Sequence, residues 1–283
     1  LLALLGSMDN RPDRAKIRCP SLDIFGAKDA LVPAAVASQF KSDTAIIPGA
    51  GHLPHLSQGD TVLQKITAFL DRELYRLDKQ KVAWSFGRAA AGYDDVAQLQ
   101  HRIGRQLLEA IPAGFSAGNV VDLGCGTGYH TVQLQRRFPE SQVTGVDLSP
   151  GMLAYAQEQY PDCTWLRTDA ENMDLASDSQ DLLFSNFALQ WCDDLSALAA
   201  ELYRVLLPDG RVYLAVPGPA TLNELRQAWS EVDGGVHVNR FSSLQQWQQV
   251  LREAGFTSVN LDSLRVTEQH RSVRELLLEL KNV

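Results

Sequence analysis

The chain has 283 residues, of which 45% are hydrophobic and 21% charged, and its formal net charge at pH 7 is −8. This composition is typical of a globular protein with one large domain or two, and no apolar run approaches the roughly 18 residues of a membrane span. An acidic chain is a poor candidate for general binding to nucleic acid. The four cysteines are scattered without a C-x-x-C pair, so we expect free thiols in a cytoplasmic protein, with no metal site and no membrane contact.

Predicted strands, loops and a helix alternate in the first 74 residues. Strands are expected at residues 21–25 and 44–47, and an amphipathic helix at residues 61–74. Asp29 lies in the turn after the first strand, and His52 lies in the glycine-containing loop after the second. This order of strand, acid, strand, histidine and helix is the one in which an α/β-hydrolase ends.

Two runs in this segment, C-P-S-L-D-I-F-G-A-K-D-A-L-V-P and P-G-A-G-H-L-P-H-L-S, resemble the last third of the α/β-hydrolases. The similarity is greatest to the esterases that cleave pimeloyl-carrier-protein methyl ester in biotin synthesis. The resemblance implies that Asp29 is the acid that orients His52, and that His52 is the general base. His55 is a weaker candidate because it follows the loop glycines and a proline. The alternative is a turn aspartate and a loop histidine.

A serine nucleophile must precede the acid and the histidine in an α/β-hydrolase, and none does so here. The one G-x-S-x-G match, at residues 114–118, comes after His52 and stands before a predicted strand, so Ser116 is interpreted as a loop serine. We therefore expect residues 1–74 to be the tail of a hydrolase whose front half is missing, short for an independent core and without esterase activity alone.

A charged joint at residues 75–81 separates this segment from a second one, residues 75–283. The run V-A-W-S-F-G-R-A-A-A-G-Y follows the joint. Asp94 comes next and is expected to cap a helix over residues 96–111, which Pro112 ends.

The second segment is organised around the run N-V-V-D-L-G-C-G-T-G-Y at residues 119–129. Its apolar start predicts a buried strand, and Gly124, Gly126 and Gly128 follow at every second position. Strand, glycine loop and helix build the nucleotide site of doubly wound α/β domains, because backbone N–H groups there approach a ligand beside a helix N-terminus. The spacing G-x-G-x-G, with Tyr129 where a dinucleotide fold needs glycine, argues against NAD. The alternative is a tight turn in another α/β domain.

Further strands and helices alternate after the glycine loop. Asp147 follows the second strand of this segment, where an acid can accept hydrogen bonds from a ribose diol, and Asp169, Ala170 and Glu171 follow the third. A turn is expected at residues 208–210. The chain stops in or just after its last helix, so we expect a truncated carboxyl end. Strands are expected at residues 120–123, 142–146, 163–167, 181–185, 211–216 and 258–266, and helices at 131–138, 152–160, 195–207, 244–254 and 273–280.

The run V-D-L-G-C-G-T-G, followed by V-D-L-S-P and R-T-D-A-E, resembles the class I S-adenosylmethionine (SAM) methyltransferases. The expected fold class is therefore α/β, a Rossmann-like SAM methyltransferase preceded by a carboxyl-terminal α/β-hydrolase fragment. The resemblance implies SAM as the cofactor. The cofactor-binding residues that it implies are Asp122, Gly124, Gly126, Gly128, Asp147, Asp169 and Ala170.

Three more runs, F-G-R-A-A-A-G-Y-D, S-N-F-A-L-Q-W-C and H-V-N-R-F, resemble the malonyl-carrier-protein O-methyltransferases of biotin synthesis. In that family the arm tyrosine helps to cover the cofactor, and the loop after the fourth strand faces the reacting methyl group. Core packing is the alternative for the aromatic residues, and a solvated loop for the basic ones. The implied roles are cofactor binding for Tyr93 and Asn186, pocket contacts for Gln190 and Trp191, and recognition of an acidic substrate for His237 and Arg240.

The two resemblances imply a fused esterase–methyltransferase that moves methyl from SAM to the free carboxylate of malonyl-acyl carrier protein. A carboxylate is already ionised near neutral pH, so no general base is needed and catalysis is mainly positioning. Residues 75–105 hold six basic and three acidic side chains, and we expect this arm to dock the acidic carrier protein. The alternatives are a methyltransferase for another small acceptor, such as a quinone precursor, and a non-catalytic SAM-binding module, with a dehydrogenase more distant.

Overall fold

The computed structural model describes residues 19–39, 42–233 and 235–282. The chain divides into two compact units, Leu1–Arg76 and Leu77–Val283. Within the described ranges, no helix is both long enough and apolar enough to cross a membrane.

The first unit is a small α/β arrangement with two parallel strands. Its core joins Ile47, Ala50 and Val62, with Ile24 packed against them. Gly26 ends the first strand where no side chain fits, because a Cβ atom there would lie 2.0 Å from the carbonyl oxygen of Gly51. Both strands form within one residue of their predicted bounds. The described elements are β1 (Leu22–Gly26), a 3-10 helix (Ala34–Gln39), β2 (Asp43–Ile47), α1 (Pro54–Ser57) and α2 (Gly59–Leu74).

The second unit has a five-stranded, fully parallel sheet. Its strands are β3 (Asn119–Leu123), β4 (Gln142–Asp147), β5 (Thr164–Arg167), β6 (Gln180–Asn186) and β7 (Leu206–Ala215). Their spatial order is β5-β4-β3-β6-β7. The chain order reverses on either side of β3, and such a switch point opens a crevice at the carboxyl ends of the strands.

Helices cover both faces of this sheet, as the continuous apolar character of its strands requires. Val120 packs in one core cluster with Leu134 and Leu108, whereas Val121 packs in the other with Leu198 and Leu251. Neighbouring residues of β3 therefore serve opposite faces, as strand geometry dictates. The helices are α3 (Lys79–Val96), α4 (Gln98–Glu109), α5 (Tyr129–Arg137), α6 (Pro150–Gln159), α7 (Leu195–Val205), α8 (Asn223–Ser230), α9 (Leu244–Ala254) and α10 (Val273–Asn282), with a 3-10 turn at Leu189–Trp191.

Asp94 does not cap a helix, so that prediction is wrong. The preceding run is itself helical because it is rich in alanine, the best helix former, and Asp94 lies in the last turn of α3. The chain breaks at Ala97, and α4 begins at Gln98. The Asp94 carboxylate accepts hydrogen bonds from His101 Nε2 and Thr127 Oγ1, both at 3.0 Å, and so joins the two helices to the glycine loop.

The strand predicted at residues 258–266 is also wrong, because this segment has no strand pairing. Val259 and Leu261 pack against the core, so the alternating pattern does mark an inward face. Leu264, in contrast, is exposed. The alternation of apolar residues reports burial and not hydrogen bonding, and a strand needs a neighbouring strand to satisfy its backbone.

The turn predicted at residues 208–210 lies inside β7 as an irregularity of the ladder. The register passes from Gln180 paired with Leu206 to Leu182 paired with Arg211, so three more residues stand on one strand than on its neighbour. Asp209 has a φ of 67°, a left-handed conformation that aspartate tolerates better than most residues. The residues typical of a turn therefore lie within the strand and form its irregularity.

Candidate active site

The carboxyl ends of β3, β4 and β6 open onto a cavity of about 820 Å³, counted to its open mouth. Helix α3 lines one side of it, and the loops after the strands line the rest. The cavity thus lies at the switch point of the sheet. The sequence-predicted site residues that line it are Tyr93, Gly124, Asp147, Asp169, Ala170, Asn186 and Trp191.

The glycine loop turns sharply from β3 towards α5. Gly124 has a φ of 74°, and a Cβ atom there would lie 2.1 Å from that of Ala188. The N–H groups of Gly124 and Cys125 both donate to the carbonyl of Val146, at 2.7 and 2.9 Å. Gly126, with a φ of 55°, has open space on its Cβ side, so only its backbone conformation requires glycine.

Asp147 holds the loops on both sides of the cavity. Its Oδ2 accepts the N–H of Gly126 at 2.9 Å, and its Oδ1 accepts the N–H of Ser149 at 2.8 Å. Burial raises the pKa of Asp147, and the backbone hydrogen bonds partly oppose that rise. Each carboxylate oxygen has two lone pairs, so one on each remains for a ligand hydroxyl.

Asp122 lies beneath the loop and does not line the cavity. Its Oδ2 accepts a hydrogen bond of 2.6 Å from Thr131 Oγ1 at the start of α5. Burial raises the pKa of Asp122 to about 7, although the Thr131 hydrogen bond lowers it. The geometry therefore gives Asp122 a supporting place, and Gly126 and Gly128 also lie outside the lining.

Helix α3 packs closely on the start of α6. A Cβ atom on Gly151 would lie 2.6 Å from the Cα of Gly87, so glycine is needed for this approach. Ser149 Oγ, at the N-cap of α6, donates to the carbonyl of Ala83 at 2.6 Å. Ala83, Gly87 and Ala90 form a row of small residues at helical spacing. This row is the feature of the sequence that could have predicted a closely packed helix face.

Aromatic rings meet at the cavity under α3. Phe86 contacts Trp191 edge-on with centroids 5.4 Å apart, and Tyr93 with centroids 6.2 Å apart. Burial raises the pKa of Tyr93, so its hydroxyl stays protonated near neutral pH. Phe86 lines the cavity although it was not among the predicted site residues.

Two amide side chains at the end of β6 keep unused acceptors. Asn186 Nδ2 donates to the carbonyl of Gln100 at 2.9 Å, and Gln190 Nε2 donates to that of Phe187 at 2.8 Å. The side-chain oxygens of Asn186 and Gln190 are buried and find no partner within the described part of the chain. Such oxygens can accept hydrogen bonds from a ligand. Only Asn186 of the two lines the cavity.

His237 and Arg240 are not among the residues that line the cavity. The imidazole of His237 lies 2.7 Å from Asp233 Oδ1 and stacks on Trp229 with centroids 4.1 Å apart. These neighbours occupy His237 in this structure. Its predicted role, like that of Arg240, stays a prediction.

The first unit brings Asp29 and His52 together. His52 Nδ1 lies 3.0 Å from Asp29 Oδ2, while Asp29 Oδ1 accepts the N–H groups of Leu31 and Val32 at 2.8 and 2.9 Å. The hydrogen bond from Val32 is the main cause that lowers the pKa of Asp29. An ionised carboxylate on Nδ1 leaves Nε2 of the same ring to act on a substrate, as in a hydrolase triad.

Comparison with known proteins gives one matching family model, described as "Methyltransferase domain", over residues 121–214. The "Biotin biosynthesis bifunctional protein BioHC" of Cellvibrio japonicus is 38% identical over 99% of this chain and 57% of that protein. The "Malonyl-(acyl-carrier protein) O-methyltransferase" of Hahella chejuensis is 42% identical over 75% of this chain and 76% of that protein. The chain thus spans about half the length of the bifunctional relatives that it matches.

Among solved structures, the chain is similar to one titled "Complex between the Haloferax volcanii Trm112 methyltransferase activator and the putative methyltransferase". The TM-score is 0.51 at 25% identity, with 60% of this chain and 75% of that chain covered. With the relatives above, the sheet order and the loop show that the chain belongs to the SAM-dependent malonyl-(acyl-carrier protein) O-methyltransferase family.

Proposed function

We propose that the chain transfers a methyl group from SAM to the free carboxylate of a malonyl group carried on acyl carrier protein. The observation that carries the proposal is the cavity at the switch point. It is bounded by the glycine loop, by Asp147 and by helix α3, which we call the roof helix. The names of the relatives supply the acceptor, since the Hahella chejuensis protein is a malonyl-(acyl-carrier protein) O-methyltransferase.

The residues that line the cavity fit SAM. Asp147 keeps lone pairs for a ribose diol, and Asp169 with Ala170 lines the region next to β5, where an adenine ring can lie. Phe86, Tyr93 and Trp191 supply aromatic surface for the apolar and cationic parts of the molecule. When bound, SAM supplies an electrophilic methyl group on a sulfonium.

The side chains around the cavity support a mechanism of positioning without a general base. Burial raises the pKa of Tyr93, and burial together with the charge of Glu171 raises the pKa of Cys192 to about 12. Both groups therefore stay protonated and do not compete with the acceptor for the methyl group. An ionised carboxylate acceptor needs no proton removed, and correct orientation can supply roughly 7–11 kcal/mol of the barrier.

Transfer of labelled methyl from SAM to malonyl-acyl carrier protein tests this function directly. Acetyl-acyl carrier protein, which lacks the free carboxylate, and the longer succinyl thioester are the controls. We expect transfer to the malonyl form alone. Tight SAM binding without transfer to any of these acceptors would contradict the assigned reaction while leaving the cofactor site in place.

A methyltransferase for a neutral small acceptor is the second candidate. Among the described residues that line the cavity, the one cationic side chain is Lys79, and it is already paired with Asp169 and Glu171. That lining has no further cation for a malonyl carboxylate, so acid recognition rests on the predicted roles of His237 and Arg240. Exchange of Arg240 for Met should raise KM for malonyl-acyl carrier protein strongly, and an unchanged KM would mean that Arg240 does not recognise the carboxylate.

We propose further that residues 1–74 are the carboxyl-terminal part of a hydrolase domain and residues 75–283 the methyltransferase domain. The division of the chain between Arg76 and Leu77 supports this boundary. Asp29 and His52 would be the acid and the base of the esterase. The four free cysteines support the expected cytoplasmic location.

The carrier protein is proposed to dock on the outer face of α3. Trp84 is exposed there, and the guanidinium of Arg88 lies 4.8 Å from the centroid of its ring. Of the other arginines within residues 75–105, Arg102 forms an ion pair with Glu268, and Arg105 donates to the hydroxyl of Tyr129. Arg88 is therefore the arginine of this arm that we assign first to an acidic partner.

A further inference from the structure

Lys79 forms an ion cluster at the first turn of α3. Its ammonium group lies 2.9 and 2.8 Å from the two carboxylate oxygens of Asp169, and it also contacts the carboxylate of Glu171. All three side chains are mostly covered, at 18%, 33% and 14% exposure in that order. Burial opposes the charge of Lys79, but the hydrogen bonds with Asp169 and Glu171 outweigh it and raise the pKa of Lys79.

The same cluster ties together three separate segments. Glu171 lies in the loop after β5, and its Oε1 accepts the N–H of Asp194, the N-cap of α7, at 2.8 Å. The neighbouring Asp193 accepts the N–H of Leu77, just before α3, at 3.1 Å. The start of α3 is thus attached by charged groups both to the loop that carries Asp169 and to the start of α7.

The last turn of α3 is attached to the glycine loop through Asp94, and the middle of the helix is held on the cavity by uncharged contacts. These are the backbone approach of Gly87 to Gly151, the hydrogen bond of Ser149 to Ala83, and the contact of Phe86 with Trp191. Helix α3 lines one whole side of the cavity. A bound molecule is therefore better enclosed when the first turn of α3 stays attached than when that turn is released. Lys79 is the one charged side chain of α3 that lines this cavity.

We propose that Lys79, Asp169 and Glu171 form a latch that holds the roof helix α3 closed over the cavity, with Lys79 as a positioning residue for the cofactor. The proposal rests on the use of this cavity for SAM. The latch fixes the carboxylate of Asp169, the group predicted to contact the cofactor, in one orientation. Release of the first turn of α3 would open the cavity at the side next to β5 and let the ligand leave.

Hydrogen–deuterium exchange of the full chain without ligand tests the latch itself. In Lys79→Met, the amides of residues 82–87 should exchange about three- to tenfold faster than in the parent chain, because a half-buried ion cluster is lost. Lys79→Arg should restore most of the protection. The matched control is Lys81→Met on the same helix, whose exposed side chain pairs with Asp78 and lies outside the cavity lining, and its exchange should not change.

A double-mutant cycle with Glu171→Gln separates the latch from a general loss of stability. If Lys79 acts in part through Glu171, adding Glu171→Gln to Lys79→Met should not speed SAM release further, whereas Glu171→Gln alone should speed it; release is followed by tryptophan fluorescence in stopped flow. Additive effects would overturn the proposal, as would unchanged exchange at residues 82–87 in Lys79→Met.

The latch and the proposed function can fail separately. Exchange is read without substrate, so a chain that transfers methyl to none of the tested acceptors still reports on the latch. A chain that transfers methyl normally, but in which Lys79→Met leaves both exchange and SAM release unchanged, contradicts the latch alone.

Discussion

Asp147 organises the cavity with both of its carboxylate oxygens. One oxygen holds the glycine loop through Gly126, and the other holds the start of α6 through Ser149. A single side chain therefore sets the distance between the two backbone segments that a nucleoside would contact. The sequence pattern, an acid at the end of the second strand, predicts a ribose contact but not this second task.

We expect Asp147→Asn to weaken SAM binding by about 10- to 100-fold, the value of a charged hydrogen bond of about 1.5–3 kcal/mol. The amide NH₂ group would also face a backbone N–H that needs an acceptor. Isothermal titration calorimetry with SAM measures the effect. Asp162→Asn, at an exposed carboxylate before β5, is the control and should bind as the parent chain does.

The buried carboxyl of Asp122 makes stability depend on pH. Its pKa of about 7 in the folded chain lies above the ordinary 3.8, so the folded state binds the proton more tightly than the unfolded state. The stabilisation that the protonated form provides is complete below about pH 4 and is lost as the pH rises through 7.

Asp122→Asn should therefore gain stability relative to the parent chain as the pH rises. Between pH 5 and pH 8.5 the difference in unfolding free energy should move by about 3 kcal/mol in favour of the variant. Urea unfolding at the two pH values checks this, with Asp162→Asn again as the control. If the difference in unfolding free energy between Asp122→Asn and the parent chain is the same at both pH values, the pKa of Asp122 is not raised by folding.

At the scale of elements, the close packing of α3 on α6 requires glycine at residues 87 and 151. The backbones of Gly87 and Gly151 are in contact, and neither has room for a Cβ atom without movement. Gly92, on the same helix as Gly87, is exposed and has open space around it. The two kinds of glycine cannot be told apart by composition, since both lie in one alanine-rich run.

Gly151→Ala should destabilise the chain by about 1–3 kcal/mol and weaken SAM binding, because the new methyl group pushes α3 away from the cavity. Gly92→Ala should instead stabilise it by up to about 1 kcal/mol, since alanine favours the helix. Denaturant unfolding and SAM titration of both variants give the comparison. Equal stability of the two would mean that α3 does not pack here as described.

The elements of the second unit also show where the apolar pattern of the sequence and the structure differ. Apolar periodicity predicts β3 to β6 and the helices between β3 and β7 to within a few residues, because these elements are buried on the faces that the pattern marks, whereas β7 begins five residues before its predicted start. It fails at residues 258–266, where Val259 and Leu261 pack inward without a neighbouring strand. It also fails at Asp94, because capping depends on which residue begins the helix.

At the scale of the whole molecule, charge is distributed unevenly. The chain has a net charge of −8, yet residues 75–105 carry a net charge of +3. On α3, Lys81, Trp84 and Arg88 are spaced so that they share the outward face. An acidic partner approaching an acidic chain would be steered towards this face.

Arg88→Glu should raise KM for malonyl-acyl carrier protein about three- to tenfold at low salt, with kcat nearly unchanged and the effect reduced at high salt. A small malonyl thioester without the carrier should be methylated as before. Arg252→Glu, at an exposed arginine of α9, is the matched control. An unchanged KM for the carrier-bound substrate at low salt would exclude docking through Arg88.

The sequence by itself determined the order of strands and helices around the glycine loop, the acid at Asp147 and the pair Asp29 and His52. These features are local, because each depends on a few consecutive residues or on a strand end, and parallel strands bring their carboxyl ends to one edge. Seven of the predicted site residues accordingly line the cavity.

Only the tertiary structure decided what closes the cavity. Lys79 lies ninety residues before Asp169, and its pairing depends on how α3 crosses the loop after β5. The contact of Gly87 with Gly151 and the burial that sets the pKa of Asp122 depend in the same way on packing between distant segments. Such contacts leave no periodic signal in one sequence, because each partner taken alone is an ordinary lysine, glycine or aspartate.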